Sequence, residues 1–309
     1  MPDRMESNPS RAGTPRRRLP AATAAQVADY YNTNTARFLA LGGSGETAAI
    51  HRAIWAPGVG NRRDAFLYLN RLVAEAVRPL IPATENSQLL DLGCGVGGTS
   101  TWLARELGVK VMGVTLSATQ KELAEVRARS LGLTNLTCFL AADFTDPGSL
   151  DCLPVAQAAY AIESFAHVSD PRRFFAMAAE RVSPGGRLII CDDFQASPAA
   201  VDDADAQRAQ YWQQRVSDGW HLHSLLPQQQ VISLAAEEGF RLVECRDHSA
   251  HIRSLSPVLL ALASQLTRLP LPGAYWQNLS GGTALQRCLR NGWTRYLSLI
   301  WERESRPGA

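Results

Sequence analysis

No two of the six cysteines, at positions 94, 138, 152, 191, 245 and 288, form a Cys-x-x-Cys pair. Scattered cysteines, most of them in apolar runs, argue against a disulfide framework and read as buried free thiols of a reducing compartment. No apolar run approaches the roughly 20 residues of a membrane span. The N-terminus has no apolar signal core, so the expected location is the cytoplasm, with no membrane partner. Charge is nearly balanced, 31 Lys and Arg against 29 Asp and Glu, which argues against nucleic acid as a partner. Internal repeats and an Asp-Asp-x-x-Asp motif are missing too. What remains is an ordinary soluble composition with ample core material, sized for one large α/β domain or one domain with a cap.

The most informative stretch is residues 88–120. An apolar run over 89–92 ends in Gly93-Cys94-Gly95-Val96-Gly97-Gly98, helical periodicity opens at Thr99, and a second apolar run fills 109–116. That is a strand, a glycine-rich turn, a helix and a strand, one βαβ unit. Glycines let the backbone turn sharply and admit a ligand with no Cβ in the way, and the helix start supplies free N–H groups. Many nucleotide-binding folds share such a turn. No Lys-Ser/Thr pair follows the glycines, which excludes a phosphate loop of the Walker type. The acid Asp91 precedes the first glycine, and the second strand ends in Thr115-Leu116-Ser117, without the acid that a dinucleotide fold uses to hold a ribose.

DLGCGVGG followed by GVTLSATQ resembles the class I S-adenosylmethionine-dependent methyltransferases. The likeness is greatest to the branch of cyclopropane synthases, sterol and tocopherol methyltransferases and prenyl-diphosphate C-methyltransferases such as those of geranyl diphosphate, and it covers residues 30–240. The resemblance implies a Rossmann-like, seven-stranded, mostly parallel α/β sheet with a helical cap from the N-terminal segment and insertions. It implies S-adenosylmethionine as cofactor, held by Asp91, Gly93, Cys94, Gly95 and Gly97 at the methionine half. Thr115, Leu116 and Gln120 would sit by ribose and adenine, with Gln120 replacing the missing acid. Asp143 would accept the adenine amine and Phe144 would cover the purine, although on residues alone Asp143 reads as a turn residue. Tyr31 belongs to an aromatic pair in the cap.

Along the chain, residues 1–22, rich in Pro, Arg, Ser and Gly, read as a disordered tail. Residues 23–82 read as a helical cap and 83–309 as the donor-binding domain, with helical insertions around 197–228 and 250–290. Asn61 opens a helix over 65–80, and further helices are expected over 121–131, 171–182 and 231–238. Strands are expected at 137–141, 156–163, 187–192, 240–245 and 296–302, the last antiparallel. Pro184-Gly185-Gly186 is the turn before the fifth strand, and the inserted helices are expected to form a lid.

The acceptor side rests on Glu163, a carboxylate ending an apolar strand. It can face the donor's cation, act as a base, or serve as a structural acceptor of hydrogen bonds. In the branch resembled, an alkene attacks the methyl group and a base removes a proton from the resulting carbocation, which makes Glu163 the expected base. His51, Arg52, Trp55, Arg62, Phe165, His167, Tyr211, Trp212 and Trp220 are the substrate-side candidates; each aromatic also reads as core, and each arginine as a solvated helix face. The acceptor expected is a small molecule of isoprenoid type, a prenyl diphosphate carrying Mg²⁺ with it, because no metal ligands of the protein's own stand out; His221-x-His223 lacks a third ligand. A phenol, quinol or other metabolite with His167 or His51 as base is the rival, and a donor-binding protein without turnover a second. A homo-oligomer is compatible with all three.

Overall fold

The structure is a computed structural model that describes residues 27, 28, 32, 35, 47–81, 87–196, 203–269 and 271–305. The expected tail at 1–22 and Tyr31 lie outside the described residues.

Seven strands form one sheet: β1 (Gln88–Leu92), β2 (Lys110–Thr115), β3 (Thr137–Ala141), β4 (Ala156–Ile162), β5 (Val182–Gln195), β6 (Phe240–Asp247) and β7 (Thr294–Arg303). Their order is β3-β2-β1-β4-β5-β7-β6. Pairings among β1 to β5 are parallel, and β7 runs antiparallel between β5 and β6. This is the Rossmann-like methyltransferase architecture expected from the motifs. Strand order reverses direction at β1 and β4, where open α/β sheets leave a crevice beyond the carboxyl strand ends.

Alternation sorts the strands onto two cores. Leu90 and Leu92 face a cluster with Phe165, Phe174, Phe194 and Trp301, while Leu89 faces a second cluster with Tyr160, Ile189 and Tyr296. The described helices are α1 (Arg62–Val77), α2 (Gly98–Leu107), α3 (Ala118–Ser130), α4 (Pro147–Leu150), α5 (Pro171–Arg181), α6 (Asp203–Trp220), α7 (Gln228–Glu237), α8 (Pro257–Leu266) and α9 (Ala274–Arg290). Asn61 caps α1 by accepting the Asp64 N–H at 2.9 Å, as its sequence suggests. Ser117 caps α3 through the Gln120 N–H at 3.1 Å, so that helix starts three residues before the expected Lys121. β5 is longer than expected: its pairing with β4 skips from Val182 to Arg187, and Pro184-Gly185-Gly186 is accommodated as an irregularity within the strand.

A third apolar cluster lies between α6 and α9 and includes Trp212, Val216, Leu285, Cys288 and Trp293. Cysteine burial is corrected by half. Cys94, Cys191 and Cys288 are buried, but Cys138, Cys152 and Cys245 are exposed; all six are free thiols. No described helix is long and apolar enough to cross a membrane.

Candidate functional site

A cleft enclosing about 950 Å³ of empty space, open to solvent, lies beyond the carboxyl ends of β1 to β4. The β1 turn supplies Gly93 and Gly95, the end of β2 supplies Thr115, Leu116 and Gln120, and the end of β3 supplies Asp143, Phe144 and Thr145. The end of β4 adds Ile162, Glu163 and Ser164, and residues 50 and 51 close the side. A smaller pocket of about 350 Å³ adjoins it and includes Asp91, Cys94, Gly98, Thr99 and Ala48.

Gly93 is required on two counts. Its φ of +98° disfavours side chains, and a Cβ there would stand 2.3 Å from the Ser164 Cβ. Ser164 in turn donates to the Leu92 carbonyl at 2.5 Å, which fastens the β4 end to β1. Gly97 lines neither pocket. It starts α2 with φ +74°, and a Cβ would meet Ala124 at 2.9 Å, so its smallness serves helix packing.

Around the ends of β2 and β3 the polar side chains are already organised. Gln120 accepts from the Thr115 hydroxyl at 2.8 Å and donates to Thr35 at 3.1 Å, which fixes its amide. One oxygen of Asp143 takes both the Thr145 N–H, at 2.8 Å, and the Thr145 hydroxyl, at 2.6 Å. Phe144 packs edge-on to Phe174 with ring centroids 5.8 Å apart. Burial pushes the Cys94 thiol well up, away from thiolate character. Asp91 is buried, and desolvation lifts its carboxyl to about 7 against the donation from Ser100 at 2.5 Å.

At the end of β4, Glu163 has a φ of 51°, a rare conformation for a residue with a side chain. Its N–H holds the Cys191 carbonyl at 2.8 Å. The other described non-glycine residues with positive φ are Ala48, in the smaller pocket, and His221, whose backbone hydrogen-bonds His167. Strained backbone is thus gathered at the cleft, where neighbouring structure must hold it. Three donors converge on the Glu163 Oε1: the Arg52 N–H at 2.9 Å, Arg52 Nε at 3.1 Å and the Tyr296 hydroxyl at 3.0 Å. Arg52 also clasps both oxygens of Asp193 and lies 4.2 Å from the Tyr296 ring centroid. Burial would raise the Glu163 carboxyl; the Arg52 charge, His51 and the Arg52 hydrogen bonds overturn that and hold it below its ordinary value. Desolvation does prevail at Asp192, which sits at about 7 although it accepts the Ala166 and Asp193 N–H groups.

His51, His167 and His223 also line the cleft. Burial pulls the His167 imidazole down to about 4, so it is neutral at physiological pH. His51 is 8% exposed; its Nδ1 meets the Arg52 carbonyl at 3.2 Å, while its Nε2 has no hydrogen-bond partner among the described residues. An orphaned buried imidazole nitrogen inside a cleft is suited to a polar ligand atom.

Several substrate-side candidates lie elsewhere, and each placement has a physical reason. Phe165 is fully buried against Phe174, Phe175 and Phe194, because the turn after β4 points it into the core. Trp212 fills the cluster between α6 and α9. Trp220 donates its indole N–H to the Asn278 carbonyl at 3.1 Å, and Tyr211 is exposed on α6. The Arg253 guanidinium covers Trp55 at 3.3 Å from the ring centroid. Arg62 stands exposed at the start of α1, and Arg52 lies behind Glu163, occupied by two carboxylates. Thr145, Val168, Ser169 and His223 were not singled out as cleft residues by their sequence, and neither were Asp193 and Tyr296 as partners of the site. Two successive acids ending an apolar strand, Asp192-Asp193, were the available signal.

A family model described as a methyltransferase domain matches residues 62–245. An O-methyltransferase of Pyrenophora dematioidea is 30% identical over 216 residues, 68% of this chain and 74% of that protein. A chloroplastic tocopherol O-methyltransferase of Arabidopsis thaliana is 26% identical over 206 residues, 62% of this chain but only 56% of that protein. Among solved structures, a geranyl diphosphate C-methyltransferase from Streptomyces coelicolor, in complex with Mg²⁺, geranyl diphosphate and S-adenosyl-L-homocysteine, superimposes with a TM-score of 0.63 at 18% identity, covering 93% of this chain and 99% of that one.

Proposed function

Given that the chain belongs to the S-adenosylmethionine-dependent methyltransferases, we propose that it methylates a hydroxyl of a neutral small molecule, a phenol, quinol or similar metabolite, with His167 as the base. The observation that carries this reading is the lining of the acceptor half. It holds His51, His167, His223 and the Glu163 carboxylate, and among the described residues the cleft has no arginine or lysine. An anionic acceptor would meet the Glu163 carboxylate on a wall with no described arginine or lysine turned to the cleft, Arg52 being spent on Glu163 and Asp193, whereas a hydroxyl meets the neutral His167 imidazole, which can accept its proton.

The cleft suits the donor. Asp91, held protonated near neutrality by its dry surroundings, would ionise against the ammonium of the methionine half in the smaller pocket. Gly93 and Gly95 would leave room for the chain, and Asp143 and Phe144 would take the adenine. When bound, S-adenosylmethionine supplies an electrophilic methyl group on a sulfonium. Glu163, kept ionised by Arg52, would face that positive charge. His167 would take up the proton that the acceptor hydroxyl gives up on methylation. Free thiols and the absence of a described membrane-spanning helix fit action in a reducing compartment such as the cytoplasm.

A second reading is C-methylation of a prenyl diphosphate, and Glu163 itself favours it. Its Oε1 is saturated by three donors while its Oε2 has no hydrogen-bond partner among the described residues, and a carbocation is acidic enough to lose a proton even to a weakly basic carboxylate. The structural likeness to the geranyl diphosphate enzyme supports the same reading at the level of fold.

Mass spectrometry of methyl transfer to a panel of phenols, quinols, geranyl and farnesyl diphosphates, with and without Mg²⁺, separates the two. Gain on a hydroxyl acceptor without metal dependence, with turnover falling about 10²–10⁴-fold in His167→Ala while donor binding persists, is the expected result. Gain on a diphosphate that disappears on chelation, with turnover lost in Glu163→Gln, would replace it.

A further inference from the structure

The segment from 248 to 301 contains five arginines, at 253, 268, 287, 290 and 295, and no aspartate or glutamate, in a chain whose total charge is close to balanced. Its first helix, α8, turns apolar side chains outward. Val258, Leu259, Leu262 and Leu266 fall within about 100° of one another on a helical wheel, at 3.6 residues per turn, and are 69, 55, 62 and 53% exposed. The opposite side carries Leu260 and Ser264, both buried. Beyond α8 the same surface gains Leu269, Leu271 and Tyr275, all at least half exposed. The presentation is fixed by hydrogen bonds. Ser256 caps α8 through the Leu259 N–H, and the Trp276 indole donates to the Leu269 carbonyl at 2.8 Å. Monomeric proteins rarely leave a contiguous apolar face of this extent uncovered.

We propose that this face docks on the surface of an anionic lipid bilayer, with α8 lying in the interfacial plane. Charge decides between occupants. Arg268, beside the leucines, and Arg290, at the end of α9, are exposed and have no acidic partner among the described residues. Arg215 of α6 joins the surface from behind, donating to the Thr267 carbonyl and to Ser280 at 2.7 Å. The acids of α6 lie outside this segment: Asp203 is exposed at the start of the helix, Asp205 is paired with Arg208 and holds the Trp293 indole, and Asp218 accepts from Gln214. Asp247, just ahead of the segment, is paired with Arg295. A second copy seated face to face would bring arginine-bearing, acid-free surfaces together. An anionic headgroup layer answers the arginines while its acyl boundary takes the leucines. The expected absence of any membrane partner rested on the lack of a spanning run and of a signal core, and an interfacial helix needs neither. The inference stands whichever acceptor the cleft takes.

The test is co-sedimentation of the full chain with vesicles of phosphatidylcholine alone and of phosphatidylcholine mixed with phosphatidylglycerol, over a range of salt. Binding is expected on the mixed vesicles only, weakening as salt rises. The double change Leu262→Asp and Leu266→Asp should lower the bound fraction at least tenfold. Arg268→Glu should lower it several-fold at low salt. These side chains are exposed, so circular dichroism and donor binding should be unchanged in both variants. Failure to bind either vesicle overturns the proposal, and so does equal binding to both. A wild-type dimer in sedimentation equilibrium that Leu262→Asp converts to monomer would give the face to a second copy and overturn it as well.

Discussion

β1 and β4 lie side by side, and each brings one acid to the mouth of the sheet, with opposite outcomes. Asp91 has the Ser100 and Tyr160 hydroxyls as polar neighbours and no cation among the described residues, and burial carries its carboxyl to about 7. Glu163, on the wall of the open cleft, is backed by Arg52 and Tyr296 and stays below its ordinary value. The same functional group is therefore left waiting for a positive charge at one end and supplied with one at the other. In the proposed reading, that difference divides the work. Asp91 receives the donor's ammonium, while Glu163 carries a standing negative charge towards the sulfonium.

The comparison breaks most severely at Arg52. Arg52→Ala strands two carboxylates, Glu163 and Asp193, and should lower the unfolding free energy by about 3 kcal/mol, measured by urea denaturation at pH 7. Part of that loss should return at acidic pH, because in the variant Glu163 can take up a proton; an unchanged pH profile would mean that Arg52 does not set its charge. Next in size, Asp91→Asn should weaken S-adenosylmethionine about tenfold by calorimetry, equal to ~1.4 kcal/mol, with little change in the turnover of saturated enzyme. Equal affinity would remove Asp91 from the donor site.

The pH dependence sharpens the same contrast. Between the ordinary aspartate value of 3.8 and about 7, folded Asp91 and Asp192 keep protons that the unfolded chain has released. The stability of the donor-free protein should therefore fall as pH rises through that window and level off above it. Asp91→Asn should remove about half of the slope. Donor affinity should run the other way, decreasing below pH 7 as Asp91 becomes protonated, and calorimetry in buffers of different ionisation enthalpy at pH 6 should show proton release on binding. The smallest effect is expected at the end of β3. Thr145→Val deletes one of the two hydrogen bonds on Asp143 and should cost about 1 kcal/mol in stability or donor binding.

The strand–glycine–helix unit, the antiparallel last strand and the Asn61 cap were legible because each depends on local chemistry; the cleft residues at the ends of β2 and β3 were legible through the resemblance. A run of apolar residues, a glycine at a positive φ or a capping side chain acts over a few residues, and its spacing survives in the linear order. The acceptor half was legible only in Glu163 and the histidines. Its partners come from Arg52 on one side and Asp193 and Tyr296 on the other, 111 positions or more apart between Arg52 and either acid, and an ion pair of that span has no periodicity to betray it. Periodicity was also blind to direction. The aromatics at 165, 212 and 220 and the leucines of α8 show the same apolar signal, yet packing turned the first group inward or between helices and left the second facing water. By itself the sequence determined the fold, because local backbone preferences and strand alternation decide it. Only the tertiary structure decided which acid is charged, which arginine is spent holding it, and which apolar face is left without a partner, because burial and long-range charge pairing exist only once the chain has closed on itself.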